Sequence, residues 1–287
     1  VSDISRVGIV GCGLMGSGLA EVCARPGIDV LVAVSSDDSA RRGRDRLTGS
    51  LDRAVRKGRT SEKDRDGVLG RITFTTELAD LADRELVIEA VTEDEPLKLD
   101  LFARLDRIVE DPEAILATNT SSLPVMKLAR ATARPEQVLG THFFSPVPAM
   151  PLVELTGSLL TSESTVDRVE AFAVKVLDKE VIRSPDRAGF VVNALLVPYL
   201  LAAMRMVESG FALVEDVDKG MMLGCAHPMG PLRLADLIGL DTLAAVAAGL
   251  YDEFREPHYA APPLLARMVD GGLLGKKSGR GFYSYEG

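Results

Sequence analysis

The chain has little of what marks a disulfide-built, metal-binding or nucleic-acid-binding protein. Its 287 residues include only three cysteines, Cys12, Cys23 and Cys225, too few and too scattered for a disulfide framework. No Cys/His spacing suggests zinc, so no metal site is expected, and the thiols fit a reducing cytoplasm. Positive charge is in deficit. Lys and Arg number 33 against 42 Asp and Glu, a formal net charge of −9. That argues against a nucleic-acid partner, because neutralising phosphates requires a basic footprint. Long apolar runs are also lacking. The nearest, 188 to 204, is interrupted by Asn193 and Pro198 and falls short of the ~20 residues a spanning helix needs. A buried helix, and no membrane contact, is expected there. Residues 1–6 run straight into a strand-like segment without the charged and apolar regions of a signal peptide.

What remains, 46% hydrophobic and 26% charged residues with no low-complexity tract, describes a globular chain of one large or two ordinary domains. Short β-branched runs alternate with amphipathic stretches through the first two thirds, the pattern of a parallel sheet with crossover helices. Strands are expected at 7–10, 30–34, 86–89, 114–118 and 138–142, with a late one at 180–183. Segments 37–56 and 61–69 read as a charged helical hairpin after the second strand. Segment 164–177 reads as a helix whose Ser164 and Asp167 resemble a capping box. Strand signals then stop. Five helices are expected at 193–209, 215–223, 232–239, 240–253 and 263–271. The expected architecture is a Rossmann-like, doubly wound, mostly parallel sheet over residues 1–184, followed by an all-helical domain over 185–287.

An apolar strand enters Gly11-Cys12-Gly13-Leu14-Met15-Gly16, a G-x-G-x-x-G loop opening a helix. Gly11 permits the tight turn, Gly13 admits a pyrophosphate to the backbone, and Gly16 lets helix and strand pack, with the helix N-terminus facing the anion. Leu14 and Met15 complete the cofactor-binding loop. The motif alone is weak, but the strand before it and the second strand at βαβ spacing make dinucleotide binding the expected reading. The acid that usually holds the adenine ribose is missing: Val34 stands there, followed by Ser35, Ser36, Asp37 and Asp38. Losing that acid can signal NADP, but the first arginines, Arg41 and Arg42, come only after two aspartates that would repel a phosphate. NAD is therefore expected, with Ser35 beside it and NADP as the alternative.

Between Thr118 and Glu154 the sequence gathers hydroxyls, one of only three histidines and a carboxylate. A neutral imidazole held by a carboxylate can accept the proton of an alcohol. The glycine loop, Leu86–Glu93 with Lys98, Asn119-Thr120-Ser121-Ser122, His142-Phe143-Phe144 and Gly189-Phe190-Val191-Val192-Asn193 occur in order. His227-Pro228-Met229-Gly230-Pro231, Asp236–Asp241 and Gly279-Arg280-Gly281-Phe282-Tyr283 follow them. Over essentially its whole length the chain resembles the 3-hydroxyacyl-CoA dehydrogenases, of the short bacterial 3-hydroxybutyryl-CoA type.

The resemblance implies that His142 exchanges a proton with the substrate C3 hydroxyl while Glu154 holds its other ring nitrogen. It implies that Ser121 and Asn193 bind the reacting oxygen or the thioester end. Glu93, Lys98 and Asn119 would serve the nicotinamide side of the cofactor. Ser50 and Lys57 would serve the CoA moiety, beside the basic residues Arg53, Arg56 and Arg59. A homodimer through the helical domain is also implied. The bland alternatives are a core histidine, capping roles for Ser121 and Asn193, a helix-start acid at Glu93, a solvent lysine at Lys98 and an ordinary solvated face at Ser50 and Lys57.

Three departures stand out: Ser145 where the family usually has Asn, and Thr118 and Thr141 in place of Ser and Met. With Val34 they suggest a more polar acyl group, and a hydroxyacyl unit such as glyceryl on an acyl-carrier protein, for polyketide extender synthesis, is the alternative substrate. From another class, a catalytically inert dinucleotide-binding protein is the remaining alternative.

Overall fold

The computed structural model describes residues 4–121 and 123–285. It divides into two compact units, Val1–Arg187 and Ala188–Gly287.

The first unit is built on one eight-stranded sheet: β1 (Arg6–Val10), β2 (Asp29–Ala33), β3 (Ile72–Thr75), β4 (Leu86–Glu89), β5 (Ile115–Thr118), β6 (Val138–Phe143), β7 (Leu152–Gly157) and β8 (Glu180–Pro185). Its order is β3-β2-β1-β4-β5-β6-β7-β8. All neighbours are parallel except β6 and β7, which are antiparallel. Strands β4, β5 and β6 are buried along their whole length, as strands covered on both faces must be.

One face packs on α1 (Leu14–Ala24), α2 (Asp37–Arg56), α3 (Glu62–Gly70) and α6 (Glu163–Lys175). Leu19, Leu47, Val68 and Phe172 meet Ile9, Val32, Ile88 and Leu155 there. The other face packs on α4 (Glu95–Ile108) and α5 (Val125–Arg130), through Phe102, Leu105 and Leu128 against Val87, Leu116 and Val138. Helix α2 buries only Ala40, Gly43, Leu47 and Leu51, a one-sided stripe at spacings of three and four. Its remaining surface is charged, as the expected helical hairpin requires.

Two strands were not expected. β3 is a short half-buried edge strand, so neither a continuous apolar run nor clean alternation announces it. β7 carries Glu154 but was not read as a strand, since only its pairing with β6 and β8 defines it. The expected cap at Ser164 is also corrected. Ser162 caps α6, accepting from the Thr165 amide, because Ser162 is the last residue with extended backbone and Ser164 already lies inside the helix. Asp186, near the end of the first unit, caps α5 by accepting from the Val125 and Met126 amides at 2.8 Å each.

The second unit is helical: α7 (Val192–Glu208), α8 (Val214–Gly224), α9 (Pro231–Ile238), α10 (Leu240–Phe254) and α11 (Pro263–Asp270). These match the five expected helices to within one residue or so. Helix α7 carries Pro198 inside it and buries Val197, Leu200, Leu201, Ala203 and Met204. Two buried carboxylates organise this unit. Asp218 accepts from the Leu232 and Arg233 amides in the first turn of α9 and from the Tyr283 hydroxyl. Asp236 accepts from the Phe282 and Tyr283 amides and the Tyr285 hydroxyl. Gly281 has to be glycine, since a Cβ there would sit 2.0 Å from the Asp236 carboxylate. The motifs around Gly230, Asp236 and Gly281 thus do structural work in closing the helical unit.

Among the described residues no single helix is long and apolar enough to cross a membrane.

Candidate active site

The sheet's crossovers reverse between β1 and β4, and in such folds ligands bind in the crevice beyond the strands' C-terminal ends at that switch point. The glycine loop lies there. Gly11 has φ +92°, and a Cβ on it would press against the Ala90 carbonyl; a Cβ on Gly16 would meet the Gly11 carbonyl at 2.0 Å. Gly13 differs, because a Cβ there would meet nothing within 4 Å. Gly13 leaves its backbone open to the cavity it lines, whereas close packing demands glycine at 11 and 16. Gly13 also caps α1 with no side-chain hydrogen bond, so the first-turn amides of Leu14, Met15 and Gly16 remain available to an anion.

A cavity of about 500 Å³ opens from this loop, lined by Gly11, Cys12 and Gly13, by Val34, Ser35 and Ser39, and by Ala90 to Thr92. Leu97, Leu101 and the arginines 42, 46 and 104 complete much of the wall. A dinucleotide fits this donor set: open glycine backbone for the pyrophosphate, apolar walls for the adenine. Sequence reading missed Arg46 and Ser39. Their signal was available, because Ser39, Arg42 and Arg46 recur at i, i+3 and i+7 on one face of α2. The expected repulsion by the two aspartates is also altered, since neither Asp37 nor Asp38 lines the cavity and Asp38 is engaged by Arg41. Burial pushes the Cys12 thiol up to about 11, against the opposing pull of Arg46, so it stays protonated and takes no nucleophilic role.

On the α4/α5 face the sheet turns polar toward its strand ends. Val87 is followed on that face by Glu89, Leu116 by Thr118, and Gly140 by His142, because side chains alternate along a strand. Glu89 and Thr118 are register partners, and the Thr118 hydroxyl donates to Glu89 at 2.7 Å. Glu89 also accepts from the Val91 amide at 2.7 Å. Lys98, 1% exposed, lies 3.0 Å from Glu89 and 2.7 Å from Glu93. Burial raises the Glu93 pKa, but the Lys98 charge and hydrogen bonds from Lys98, Thr120 and the Ser121 amide outweigh it and hold the carboxyl below its ordinary value. Lys98 is therefore no solvent lysine: it pins two acids in the β4–α4 connection. Asn119 follows Thr118, and its side-chain carbonyl accepts from the Phe143 amide at 3.0 Å, tying the end of β5 to β6 next to His142.

His142 and Glu154 are directly opposed in the antiparallel β6–β7 register. Residues so paired share a sheet face with their Cβ atoms about 5 Å apart. The Nδ1 atom of His142 lies 2.7 Å from a Glu154 carboxylate oxygen. Glu154 is 0% exposed and His142 7%. An ionised carboxylate only accepts, so Nδ1 carries the proton and Nε2 keeps its lone pair. Phe144 flanks the imidazole with ring centroids 4.5 Å apart. Gly140, two residues back on the same face, clears room, since a Cβ there would meet Val125 and Thr156 at 3.1 and 3.2 Å.

The other expected site residues are placed as follows. Ser121 lies in the turn after β5, its amide donating to Glu93 at 3.3 Å. Ser50 is half-buried on α2 and Lys57 is the exposed C-cap of that helix. Neither lines the cavity; Lys57 is about 20 Å along the helix from Arg42. Asn193 is in the first turn of α7, in the second unit. It is not the cap, because Val191 holds that position. The departures at Thr118 and Thr141 lose their expected meaning. The Thr118 hydroxyl is spent on Glu89. Thr141 faces α6, opposite to His142, among Leu86, Phe143, Val169 and Phe172. Ser145 is exposed in the β6–β7 loop.

Comparison with known proteins agrees with this geometry. Residues 6–187 match the family model described as 3-hydroxyacyl-CoA dehydrogenase, NAD binding domain, and residues 189–285 match its C-terminal domain. A 3-hydroxybutyryl-CoA dehydrogenase of Mycobacterium tuberculosis is 61% identical, covering 98% of this chain and 99% of the relative. Among solved structures, M. tuberculosis FadB2 superposes with a TM-score of 0.98 at 60% identity, covering 99% of each chain. The (S)-3-hydroxybutyryl-CoA dehydrogenase PaaH1 of Ralstonia eutropha superposes with a TM-score of 0.93 at 44% identity, covering 99% of this chain and 100% of that one. With a glycine loop open at Gly13, a buried His142–Glu154 pair and the two family models matched over residues 6–187 and 189–285, the chain belongs to the 3-hydroxyacyl-CoA dehydrogenase family.

Proposed function

We propose that the chain moves a hydride between NAD and C3 of a short 3-hydroxyacyl-CoA, with 3-hydroxybutyryl-CoA as substrate. The observation that carries this reading is the buried His142–Glu154 pair on the sheet that also holds the glycine loop. When bound, NAD supplies the hydride acceptor. Gly11, Gly13 and the amides of Leu14 to Gly16 hold its pyrophosphate, Ser35 lies at its adenosine end, and Glu93, Lys98 and Asn119 shape the nicotinamide side. In oxidation, the Nε2 atom of His142 takes the C3 hydroxyl proton as the carbon gives up its hydride, and in reduction it returns that proton. Glu154 keeps the ring in the tautomer that leaves Nε2 free and stabilises the imidazolium once it forms. Ser121 hydrogen-bonds the reacting oxygen or the thioester carbonyl, Ser50 and Lys57 receive the CoA moiety, and Asn193 is the substrate-binding residue of the second unit.

The names of the relatives favour a CoA thioester, and the carrier-protein alternative gains no support from them. Free, scattered cysteines support a cytoplasmic setting. Leu195, Phe211, Leu213, Leu223 and Leu237 in the second unit are each more than half exposed, which supports burial of that surface in a homodimer. Static light scattering of the purified chain tests the dimer. The activity is tested by initial rates of NAD reduction with 3-hydroxybutyryl-CoA and with the same acyl group on a carrier protein. Binding of NADH without turnover of any 3-hydroxyacyl thioester would overturn the assignment.

A further inference from the structure

We propose that Lys179 is a positioning residue for the proton transfer at His142: its buried ammonium fixes the connection between β6 and β7, residues 144–151, and through Phe144 the setting of the imidazole. The inference rests on the reading of His142 as the base. Strands β5 and β6 are parallel, so this connection leaves β6 at the same edge of the sheet as the ends of β4 and β5, where the site lies. Strand β8 starts at that edge too, parallel to β7 with Glu180 in register with Leu152. Lys179, the residue before β8, therefore stands beside the connection that joins the strand of His142 to the strand of Glu154.

Lys179 is 7% exposed, and its Nζ donates to the Val147 carbonyl at 2.8 Å and to the Met150 carbonyl at 2.7 Å. Among the described residues it makes no ion pair. Burial holds its pKa below the ordinary lysine value, and Arg25 adds to that against the opposing pull of Asp178 and Cys23. An ammonium buried without a carboxylate is a costly way to fill core space, and an apolar side chain of similar length would avoid that cost. What the charge supplies instead is a pair of strong hydrogen bonds to two carbonyls of one loop. The rest of the connection closes on itself: the Ala149 and Met150 amides both donate to the Pro146 carbonyl, at 2.9 and 3.0 Å. Its end is tied to β8, where the Glu180 amide donates to the Pro151 carbonyl at 2.9 Å. Val147 is 2% exposed and rests on α1, where a Cβ on Gly18 would meet its side chain at 2.8 Å. Held by Lys179 and seated on Gly18, the connection has little room to shift, and Phe144 at its start keeps its place against the imidazole, 4.5 Å between centroids.

The test is steady-state kinetics of the full chain with NAD and 3-hydroxybutyryl-CoA, alongside fluorescence titration with NADH. Lys179→Met keeps the apolar stem and removes the donors. It should lower kcat at least about threefold, since a misplacement of about 1 Å at the reacting groups can cost up to about 10² in rate. The NADH dissociation constant should stay within about twofold, because Lys179, Val147 and Met150 do not line the cofactor cavity. A role in stability alone would lower the unfolding midpoint and leave the kcat of the folded enzyme as it was. Phe144→Leu breaks the link from the loop to the imidazole, so in the double variant the combined loss should fall short of the product of the single losses by at least about twofold. A smaller fall in kcat for folded Lys179→Met, or losses that simply multiply, overturns the proposal. Should Lys179→Met not fold, Gly18→Ala takes its place by pressing on Val147 from α1: a kcat at least about threefold lower with NADH still bound supports the proposal, and a smaller fall overturns it. A parent chain that turns over no 3-hydroxyacyl thioester sinks the functional reading and this inference together, whereas an active parent with an unaffected Lys179→Met sinks this inference alone.

Discussion

Replacing Glu154 by glutamine preserves the size of the side chain and removes its charge, which isolates what the carboxylate does for His142. The two groups are 2.7 Å apart and almost wholly buried, so water screens their interaction little. With charge centres about 4 Å apart and an effective dielectric of about 20, the carboxylate stabilises an imidazolium by about 4 kcal/mol. Glutamine retains part of this through its carbonyl dipole, so about 3 kcal/mol of transition-state stabilisation is at stake, a factor of about 10² in rate. A second effect adds to it. The glutamine amide can turn its NH2 toward Nδ1 and select the tautomer in which Nε2 already carries a proton, and an error of that kind can cost about 10⁴. The expected outcome is a kcat lowered by about 10² to 10⁴, with NADH affinity nearly unchanged because Glu154 does not line the cofactor cavity. The assay is the initial rate of NAD reduction with saturating 3-hydroxybutyryl-CoA, with thermal unfolding as the check on folding. A folded Glu154→Gln chain within about threefold of the parent would refute the reasoning, since no effect of a buried charge at this distance should be that small.

Removing the base itself by His142→Gln should lower kcat by about 10² to 10⁴ while NADH titration still reports binding; near-normal turnover would exclude His142 as the proton acceptor. The buried Thr141 hydroxyl has no hydrogen-bond partner, so Thr141→Val should stabilise the first unit by about 1 kcal/mol, a rise of about 3 °C in its unfolding midpoint. A fall in that midpoint would contradict the placement. Asp236→Ala strands two amides and a hydroxyl and should cost the second unit about 3 kcal/mol or more, seen as earlier unfolding and faster proteolysis near residues 280–285. Glu93 is held below its ordinary value of 4.5. Its contribution to stability is therefore fully present above that value and lost as the pH falls through the lower, folded one. Acid titration of Glu93→Gln should accordingly show a shallower loss of stability below pH 4.5 than the parent, and an identical slope would count against the Lys98–Glu93 contact.

The legible part of this protein is the part written in local spacing. An apolar strand, a G-x-G-x-x-G loop and a following helix are contiguous, so β1, α1 and the cofactor loop could be read directly. The five helices of the second unit were equally plain, punctuated by glycine and proline. Edge strand β3 escaped because it is short and half-buried. The cap of α6 was displaced by two residues because several serines and threonines crowd its start, and backbone geometry selects among them. Ser39 and Arg46 escaped for a different reason: they were read as the charged face of a helix, and only the fold turned that face toward the cavity.

By itself the sequence determined the βαβ cofactor unit and the helical second unit, because these follow from motifs and periodicities along the chain, and its resemblance to a known family named the cast of the candidate site, His142, Glu154, Lys98 and Glu93 among them. Only the tertiary structure decided how that cast is joined. The antiparallel register of β6 and β7 sets His142 opposite Glu154, and a shift of one residue would send the two side chains to opposite faces. Packing of α4 against β4 buries Lys98 between Glu89 and Glu93, an arrangement stable only because both carboxylates and their hydrogen-bond donors converge there. Strand alternation likewise turned Thr141 away from the imidazole and bound Thr118 to Glu89, so two substitutions that looked like changes of substrate became details of the core.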